Sequence, residues 1–441
     1  MQDPKPPVLD VTQLAKSELG QQRRISNLAS ALKGSEILKI AADIRKRIRS
    51  GAKICNLTVG DFGPQHFSIP KLLADEIHQA LERGETNYPP SNGVLPLREA
   101  IVRFYERELG LRYPLESVVV ASGARPLIYA SFRVLVDPGD TVIYPAPSWN
   151  NNHYITMVGA RPAPVTCGPE HRFMPTPQAL LDDLPNARLL CLNSPLNPTG
   201  TVMTKDDLEG ICDAILDENR AREQRGERPV YLLYDHIYWM LCFGDTRHYT
   251  PVGVRPEMAR YTVFVDGISK AFAATGLRVG WGVGPVDVVS RMTAALGHFG
   301  SWAPRPEQLG VATLLENPEA IRSYHGTFKT QVQARLDLLH EHLQAFKGEG
   351  LAVDSIPPMG AIYLTVRVHP FGKRTPDGQV LQTNEHIRKY LLEAAGIGIV
   401  PFQAFGFPGD GGWFRMSVGA VGLDEIRDAM PRMAEALRAL S

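Results

Sequence analysis

The sequence has 441 residues, 44% of them hydrophobic, and it balances 47 lysine and arginine side chains against 47 aspartate and glutamate side chains. This composition is that of a globular protein long enough for two or more domains. A formal net charge of zero gives no basic surface for nucleic acid or for an anionic membrane. We therefore expect small molecules, or a second copy of the chain, as partners.

Cysteine usage and apolar runs indicate the compartment. The five cysteines are scattered without a CxxC or Cys/His spacing, which is typical of reduced, packed thiols and predicts no metal site. The first residues, MQDPKPPVLDVTQLAKSELGQQRR, lack the apolar core of a signal peptide, and no run of about 18 apolar residues occurs. We expect a cytoplasmic protein without a membrane span.

The chain begins with a polar, proline-bearing stretch, so residues 1–34 are expected to form an arm on the surface or on a partner subunit. A helix is predicted to begin at Ser35 as N-cap and to stop at Gly51, because ILKIAADIRKRI has apolar residues at helical spacing.

Beyond this helix, short β-branched runs alternate with longer helical patterns. The predicted strands are 117–122, 141–145, 188–193, 230–235, 261–266 and 278–283. Such alternation builds βαβ crossovers and a mainly parallel sheet. We predict a large α/β domain over 60–304 and a smaller α+β domain made of 35–59 and 305–441.

The stretch after the first of these strands suits an anion. Ser122, Gly123 and Ala124 lead directly into a helix, where small residues expose backbone N–H groups and the positive end of the helix dipole. A phosphate fits such a turn, and so does a tight turn without a ligand. Ligands in open α/β sheets bind at the carboxyl ends of strands, so other strand ends are candidates too.

Two further strand ends carry polar side chains. Asp235 ends the apolar run VYLLYD of residues 230–235, three residues before Tyr238. A carboxylate at that point either meets a cation or caps a helix. Asn197, in SPLNPTG, is by itself an ordinary residue of a proline turn.

Lys270 stands among small and apolar residues in DGISKAFAATGLRVGW, and Arg278 follows eight positions later. A surface lysine near a solvated arginine is the simplest interpretation of such a pair. Taken with its context, however, GISKAFAATGLRVG resembles the pyridoxal-phosphate attachment pattern of class I and II aminotransferases, position for position.

The resemblance extends from about Lys33 to the C-terminus, in the family's order. The matching stretches are NLTVGDF, NYPPSNGVLPLREAI, VVVASGARPL, PAPSWNNN, NSPLNPTG, YDHIY, PPMGAIYL and FRMSVG. It implies fold type I, an α/β architecture in which a large domain has a mainly parallel seven-stranded sheet flanked by helices and a smaller domain is α+β.

The resemblance also assigns roles around the cofactor, pyridoxal 5′-phosphate. Lys270 becomes the amine that binds the cofactor aldehyde and later moves a proton at the substrate Cα, tasks that its apolar neighbours favour by disfavouring the charged amine. Asp235 faces the pyridine nitrogen, Tyr238 and Asn197 donate to the ring's 3′ oxygen, and Trp149 stacks on the ring. Without the family context, Trp149 would indicate core packing.

The cofactor phosphate is assigned to Arg278, to residues 122–124, and to Tyr88 reaching across from the neighbouring subunit of a homodimer. Where some members of the family have a phosphate-binding serine, this chain has Gly267. Ser269 is therefore expected to supply the missing hydrogen bond.

The substrate α-carboxylate is assigned to Arg415, whose guanidinium can bind it with two parallel hydrogen bonds. Gly60 is expected to bring a backbone group close to the same carboxylate. Trp149 and Asn197 are expected to line the substrate site as well.

The spacing most resembles the bacterial aspartate aminotransferase branch, in which a lysine after the phosphate loop helps to bind the distal carboxylate of the substrate. Arg125 occupies that position, and Lys33 and Ser35 match a segment near the substrate. We predict ping-pong transfer of an amino group from aspartate or glutamate to a 2-oxo acid such as 2-oxoglutarate. Phe299 and Trp302 leave an aromatic or broad-specificity aminotransferase open.

Other classes use the same residues. A lyase that breaks C–S bonds or eliminates a β-substituent begins with the same Cα deprotonation and differs only in what leaves next. A cofactor-binding regulatory domain fused to a DNA-binding module is disfavoured, because residues 1–33 contain no basic helix-turn-helix pattern.

Overall fold

Thirteen strands are found in the computed structural model, which describes residues 10–12, 15, 25–32, 34, 36–149 and 151–441. In chain order they are β1 (Cys55–Asn56), β2 (Val118–Ala121), β3 (Thr141–Ala146), β4 (Arg161–Thr166), β5 (Ala187–Asn193), β6 (Tyr231–Asp235), β7 (Thr262–Gly267), β8 (Gly280–Val283), β9 (Val353–Ser355), β10 (Tyr363–Val368), β11 (Ile397–Gly398), β12 (Val400–Pro401) and β13 (Trp413–Ser417).

Seven of these strands form one sheet in the order β2, β8, β7, β6, β5, β3, β4. Only β8 runs antiparallel to its neighbours, and the pairs from β7 to β4 are parallel. The prediction of an α/β fold with a mainly parallel seven-stranded sheet is confirmed. All six strands predicted from the sequence are present, each with its bounds moved by one or two residues.

Helices connect the strands and cover both faces of the sheet. The helices of the described residues are α1 (Asn27–Ala31), α2 (Glu36–Arg49), α3 (Lys71–Glu82), α4 (Leu95–Leu109), α5 (Ala124–Leu135), α6 (Asn151–Val158), α7 (Pro177–Leu180), α8 (Lys205–Arg225), α9 (Pro251–Val254), α10 (Ile268–Ala271), α11 (Val286–Phe299), α12 (Arg305–Leu315), α13 (Pro318–Gly348), α14 (Asn384–Ala394) and α15 (Leu423–Arg438). None of the helices in this part of the chain is long and apolar enough to cross a membrane.

The local sequence explains where these elements begin and end. β2 is fully buried, as the continuous apolar run VVVA predicts for a strand covered on both faces. The Thr204 side chain accepts a hydrogen bond from the Asp207 N–H at the start of α8, and Gly226 ends that helix in the left-handed conformation. α2 agrees with the predicted helix, although Ser35, its predicted N-cap, lies outside the described residues.

One strand of the large sheet, β4, was not predicted from the sequence. β4 has the sequence RPAPVT, and proline is depleted in strands because it has no N–H for the ladder. β4 pairs only with β3 and forms the edge of the sheet, which is the position where prolines are tolerated.

A second sheet carries the C-terminal part of the fold. Its strand order is β12, β13, β10, β9, and all of its pairs are antiparallel. β1 pairs in parallel with β11, which brings residues 55–56 to the C-terminal segment. The chain divides into two compact units, Met1–Lys33 and Gly34–Ser441. The division of the second unit into a large and a small domain stays a prediction.

Two glycines with nearly the same backbone conformation allow a test of how tightly the two sheets meet. Gly200 has φ +70°, and an added Cβ would lie 2.0 Å from the Tyr363 carbonyl oxygen on β10. Gly110 has φ +69° and nothing within 4 Å. Gly110→Ala should cost about 1–2 kcal/mol through the left-handed backbone alone. Gly200→Ala should cost about 3 kcal/mol more, because the backbone of β10 must move.

The measurement is the free energy of unfolding of both variants from denaturant titrations. Equal losses for the two variants would show that the contact between Gly200 and β10 is looser than described.

Candidate active site

Lys270 lies on the short helix α10, directly after β7, with its amine in the interior. Its Nζ donates a hydrogen bond of 2.6 Å to the Gly60 carbonyl oxygen. Burial lowers the pKa of Lys270 to about 8, and the carboxylate of Asp61 opposes this shift. Three arginines act in the same direction as burial: Arg415, Arg125 and Arg278. A substantial neutral fraction is therefore present near neutral pH, as a nucleophilic amine requires.

Asp235 ends β6 and borders a small cavity that is also lined by Trp149 and Asn193. Its Oδ1 accepts a hydrogen bond of 3.1 Å from the Ile237 N–H. Burial raises the pKa of Asp235 to about 6, while that hydrogen bond and the charge of Lys270 lower it. A cation against this carboxylate would stabilise its ionised form.

Tyr238 and Asn197 are both buried and both point towards the second sheet. The Tyr238 hydroxyl is 2.7 Å from the Tyr363 hydroxyl on β10. Asn197 is held in place by Asn193, whose Oδ1 accepts from the Asn197 N–H at 2.8 Å and whose Nδ2 donates to the Asp235 carbonyl at 2.7 Å. The side-chain amide of Asn193 thus joins the ends of β5 and β6.

Arg415, in the middle of β13, is 2% exposed and has no carboxylate partner among the described residues. Nη1 donates to Asn197 Oδ1 at 2.9 Å and Nη2 donates to the Thr58 carbonyl at 2.7 Å, whereas Nε is buried without a partner there. The guanidinium carbon lies 4.6 Å from the ring centre of Tyr363 and 4.8 Å from that of Phe405. A buried, incompletely satisfied cation suits a carboxylate ligand.

Gly60 lies against this arginine. A Cβ at Gly60 would be 2.8 Å from the Tyr363 hydroxyl oxygen and 3.7 Å from Arg415 Nη1. A side chain at this position would therefore collide with the Tyr363 hydroxyl beside the arginine, and glycine avoids that collision.

Arg278 and Gly123 form a cradle at the start of α5. Arg278 Nη2 donates to the Ser122 carbonyl at 2.9 Å and Nη1 donates to the Thr275 carbonyl at 2.6 Å. Gly123 has φ +93°, and a Cβ there would lie 2.2 Å from Arg278 Nη2. The first N–H groups of α5, from Ala124 on, have no side-chain cap. A guanidinium beside a free helix N-terminus is an arrangement that binds anions.

Gly267 has a steric reason to lack a side chain. A Cβ there would lie 2.7 Å from the Val279 carbonyl oxygen and 2.8 Å from the Gly280 Cα on β8. A serine does not fit without a shift of β8. Ser269, two residues later and 8% exposed, is the neighbouring hydroxyl; its contact with a phosphate stays a prediction.

The remaining predicted residues pack against aromatic side chains. The Arg125 guanidinium carbon lies 4.3 Å from the ring centre of Trp149, a cation–π contact. Tyr88 is 82% exposed and packs its ring edge-on against Trp302 at 5.3 Å. Phe299 contacts Tyr129 at 5.3 Å. Lys33 lies outside the described residues.

Several residues at the site were missed by the sequence reasoning. Tyr363 and Thr58 contact Tyr238 and Arg415 respectively, and Asp61 is hydrogen-bonded to the Thr275 hydroxyl. Thr58, Asp61 and Tyr363 belong to stretches that match the family, NLTVGDF and PPMGAIYL. Their position within those stretches is the sequence feature from which a place at the site could have been predicted.

The pattern of the family described as "Aminotransferase class I and II" matches residues 52–432. The chain belongs to the class I and II aminotransferases. This family uses pyridoxal phosphate, and the protein is a transaminase.

Individual relatives are similar in sequence to this aminotransferase over nearly their whole length. It is 30% identical over 415 residues to an aspartate aminotransferase of Rhizobium meliloti (strain 1021), covering 93% of this chain and 96% of the relative. It is 29% identical over 422 residues to a probable aspartate/prephenate aminotransferase of Rhizobium leguminosarum bv. phaseoli, covering 93% and 97%.

Solved structures of aspartate aminotransferases are similar to this fold as well. The crystal structure of the aspartate aminotransferase from Rhizobium meliloti has a TM-score of 0.86 at 29% identity, covering 95% of this chain and all of that one. The aspartate aminotransferase from Thermus thermophilus with maleate has a TM-score of 0.83 at 28% identity, covering 94% of this chain and all of that one.

The lowered pKa of Lys270 predicts unusual reactivity of the aminotransferase without its cofactor. Labelling of Lys270 by an amine-selective reagent should reach half its maximal rate at pH about 8, because the neutral amine is the reactive form. Mass spectrometry of digests taken across a pH series gives the rate, with the exposed lysines of the same digest as the internal control. Labelling of Lys270 that follows the ordinary lysine curve would contradict the described burial.

Proposed function

We propose that this transaminase binds pyridoxal phosphate covalently through Lys270 and moves the amino group of aspartate or glutamate to a 2-oxo acid such as 2-oxoglutarate. The observation behind this proposal is the buried guanidinium of Arg415, which lacks a carboxylate partner among the described residues. Both this guanidinium and the Lys270 amine lie beside Gly60. That pair suits an α-amino acid, whose carboxylate and amine would meet the two groups.

The residues present fit the cofactor. The cradle of Arg278, Gly123 and the α5 N-terminus suits a phosphate, and filling it with a Cβ would collide with Arg278. Asp235 would hold the ring nitrogen, with Trp149 bordering the same cavity. Bound there, pyridoxal phosphate supplies an electron sink for the pair left on the substrate Cα when its proton departs.

The chain's own groups carry the rest of the chemistry. Lys270, with its pKa near 8, would take the substrate Cα proton in its neutral form and give it to C4′ of the cofactor, on the far side of the transferred nitrogen. Asp235, with a pKa near 6 that a facing cation would lower, stays ionised at neutral pH. Tyr238 and Asn197 offer hydrogen bonds to the ring's 3′ oxygen, and Arg415 fixes the substrate through its α-carboxylate.

Arg125 supports the dicarboxylate assignment. Its side chain is exposed, forms no salt bridge with any described residue, and stacks on Trp149 beside the cavity at Asp235. Its guanidinium is available for the distal carboxylate of a substrate. The related Thermus thermophilus enzyme was solved with maleate, a dicarboxylate, which supports the same substrate class here.

We also propose a homodimer in which Tyr88 reaches the neighbouring active site. Tyr88 is a large aromatic side chain with 82% of its surface exposed, beside the aromatic ring of Trp302. A tyrosine exposed to this degree, packed on a half-buried tryptophan, is the kind of surface that a second subunit covers.

Replacing Lys270 tests its proposed role as the reactive amine. Lys270→Arg keeps a cation but removes the amine that exchanges with substrate, so transamination of aspartate should fall at least about 100-fold. The rate is followed as the change of cofactor absorbance from its aldehyde to its amine form. Retained turnover would overturn the role of Lys270, and release of ammonia by the unchanged protein would favour the lyase.

Arg125→Ala tests the substrate class. It should lower kcat/KM for aspartate by about 10- to 100-fold, since a hydrogen-bonded charge pair contributes about 1.5–3 kcal/mol, and leave alanine, which has no distal carboxylate, nearly unchanged. Arg133→Ala, on the exposed face of the same helix α5, is the matched control. Equal effects on both amino acids, or preference of the unchanged enzyme for phenylalanine, would reject dicarboxylate specificity.

A further inference from the structure

A cluster of polar side chains lies behind Asp235, on the opposite face of the large sheet. We name it the Asp266 cluster; its members are Asp266, His236, Tyr105, His248 and Trp239. Asp266, His236 and Tyr105 are each at most 1% exposed. None of the five residues has a role in the proposed mechanism.

The sheet register places the two carboxylates back to back. Asp235 on β6 pairs with Val265 on β7, and Asp266 is the next residue of β7. Side chains alternate between the faces of a strand, so Asp235 and Asp266 point to opposite faces. Asp235 borders the cavity at Trp149, and Asp266 contacts Tyr105 on α4.

Charge compensation differs between the two carboxylates. Asp235 has the Lys270 amine nearby and would face the ring nitrogen of the cofactor. Asp266 has neither lysine nor arginine within salt-bridge distance in the described parts of the chain; its nearest basic atom is His236 Nε2 at 3.7 Å. Two buried carboxylates on adjacent strands disfavour each other's ionisation, and the one without a cation takes the proton more readily.

The hydrogen bonds of the cluster accommodate either protonation state. Tyr105 Oη lies 3.4 Å from Asp266 Oδ2 and 2.9 Å from His236 Nε2, and His236 Nδ1 lies 3.4 Å from His248 Nε2. With Asp266 protonated, its hydroxyl donates to Tyr105, whose hydroxyl donates to a neutral His236. With Asp266 ionised, donor and acceptor exchange roles in each of these hydrogen bonds.

We propose that Asp266 is a positioning residue that carries the buried proton at the carboxyl ends of β6 and β7, so that Asp235 remains the ionised carboxylate opposite the cofactor. The series of hydrogen bonds from Asp266 through Tyr105 and His236 to His248 holds that proton in place. The inference rests on the proposed role of Asp235, while the location of the proton is measured independently of turnover.

The surroundings of Asp266 support a neutral state. Burial, together with a smaller effect of the Asp235 charge, raises the pKa of Asp266 to about 7, against hydrogen bonds from the Gly267 N–H, Trp239 and Tyr105 that lower it. Burial holds the pKa of His236 well below its usual range and lowers that of His248 to about 3, so neither supplies a cation. Tyr113, which also faces Tyr105, stays neutral because burial raises its pKa.

Infrared spectroscopy of the full-length holoenzyme tests the assignment, using aspartate labelled with 13C at the side-chain carboxyl to identify the carbonyl stretch of protonated aspartate. We expect this band below pH about 7 and its loss as the pH rises through that value. Asp266→Asn should abolish the band, and Asp235→Asn should retain it. A band that persists in Asp266→Asn, or is absent from the unchanged protein, overturns the proposal.

Tyr105→Phe is the second variant, for the case that Asp266→Asn does not fold. It keeps the carboxyl group and removes the hydroxyl that accepts its proton, so the band should remain and move to higher frequency. A band that does not move in Tyr105→Phe places the proton elsewhere and overturns the proposal. Transaminase activity measured on the same samples shows separately whether the proposed function holds.

Discussion

An excess of positive charge in a poorly hydrated space is the constraint on which this structure depends. Arg415, Arg278 and Arg125 all lower the pKa of Lys270, and the carboxylate of Asp61 is the charge that opposes them there. Cations brought close together repel one another, and the buried ones among them, Lys270 and Arg415, also lose hydration. Such a site is stable when anions complete it, and the proposed cofactor phosphate and substrate carboxylates are the anions of matching charge.

The backbone of the two sheets holds these cations in place. Arg415 donates to a carbonyl of residue 58 and to Asn197, so one guanidinium joins the segment before α3, the end of β5 and the second sheet. Gly60 and Gly200 allow the backbone approaches that this junction needs, both of them against Tyr363. The proposed substrate-binding geometry is therefore a property of how the sheets meet.

The large sheet could be predicted from the regular alternation of strands and helices. Lys270 in its apolar run and Asp235 at a strand end carry a signal within a few residues, but their assigned roles, like that of Arg415, rest on the resemblance to the family. Tyr363 and Thr58 carry no such signal, since their contacts arise only when β10 and β13 pack against the ends of β5 and β6. The Asp266 cluster was missed for the same reason: its members come from α4, β7 and the segment after β6.

The proline-bearing strand β4 has a consequence for association. Edge strands offer unpaired backbone groups to any extended chain that arrives, and natural proteins protect such edges. Two of the six residues of β4, Pro162 and Pro164, have no amide hydrogen to offer. This edge is a poor template for an incoming strand, so copies of the protein are not expected to extend the sheet into a shared one at β4.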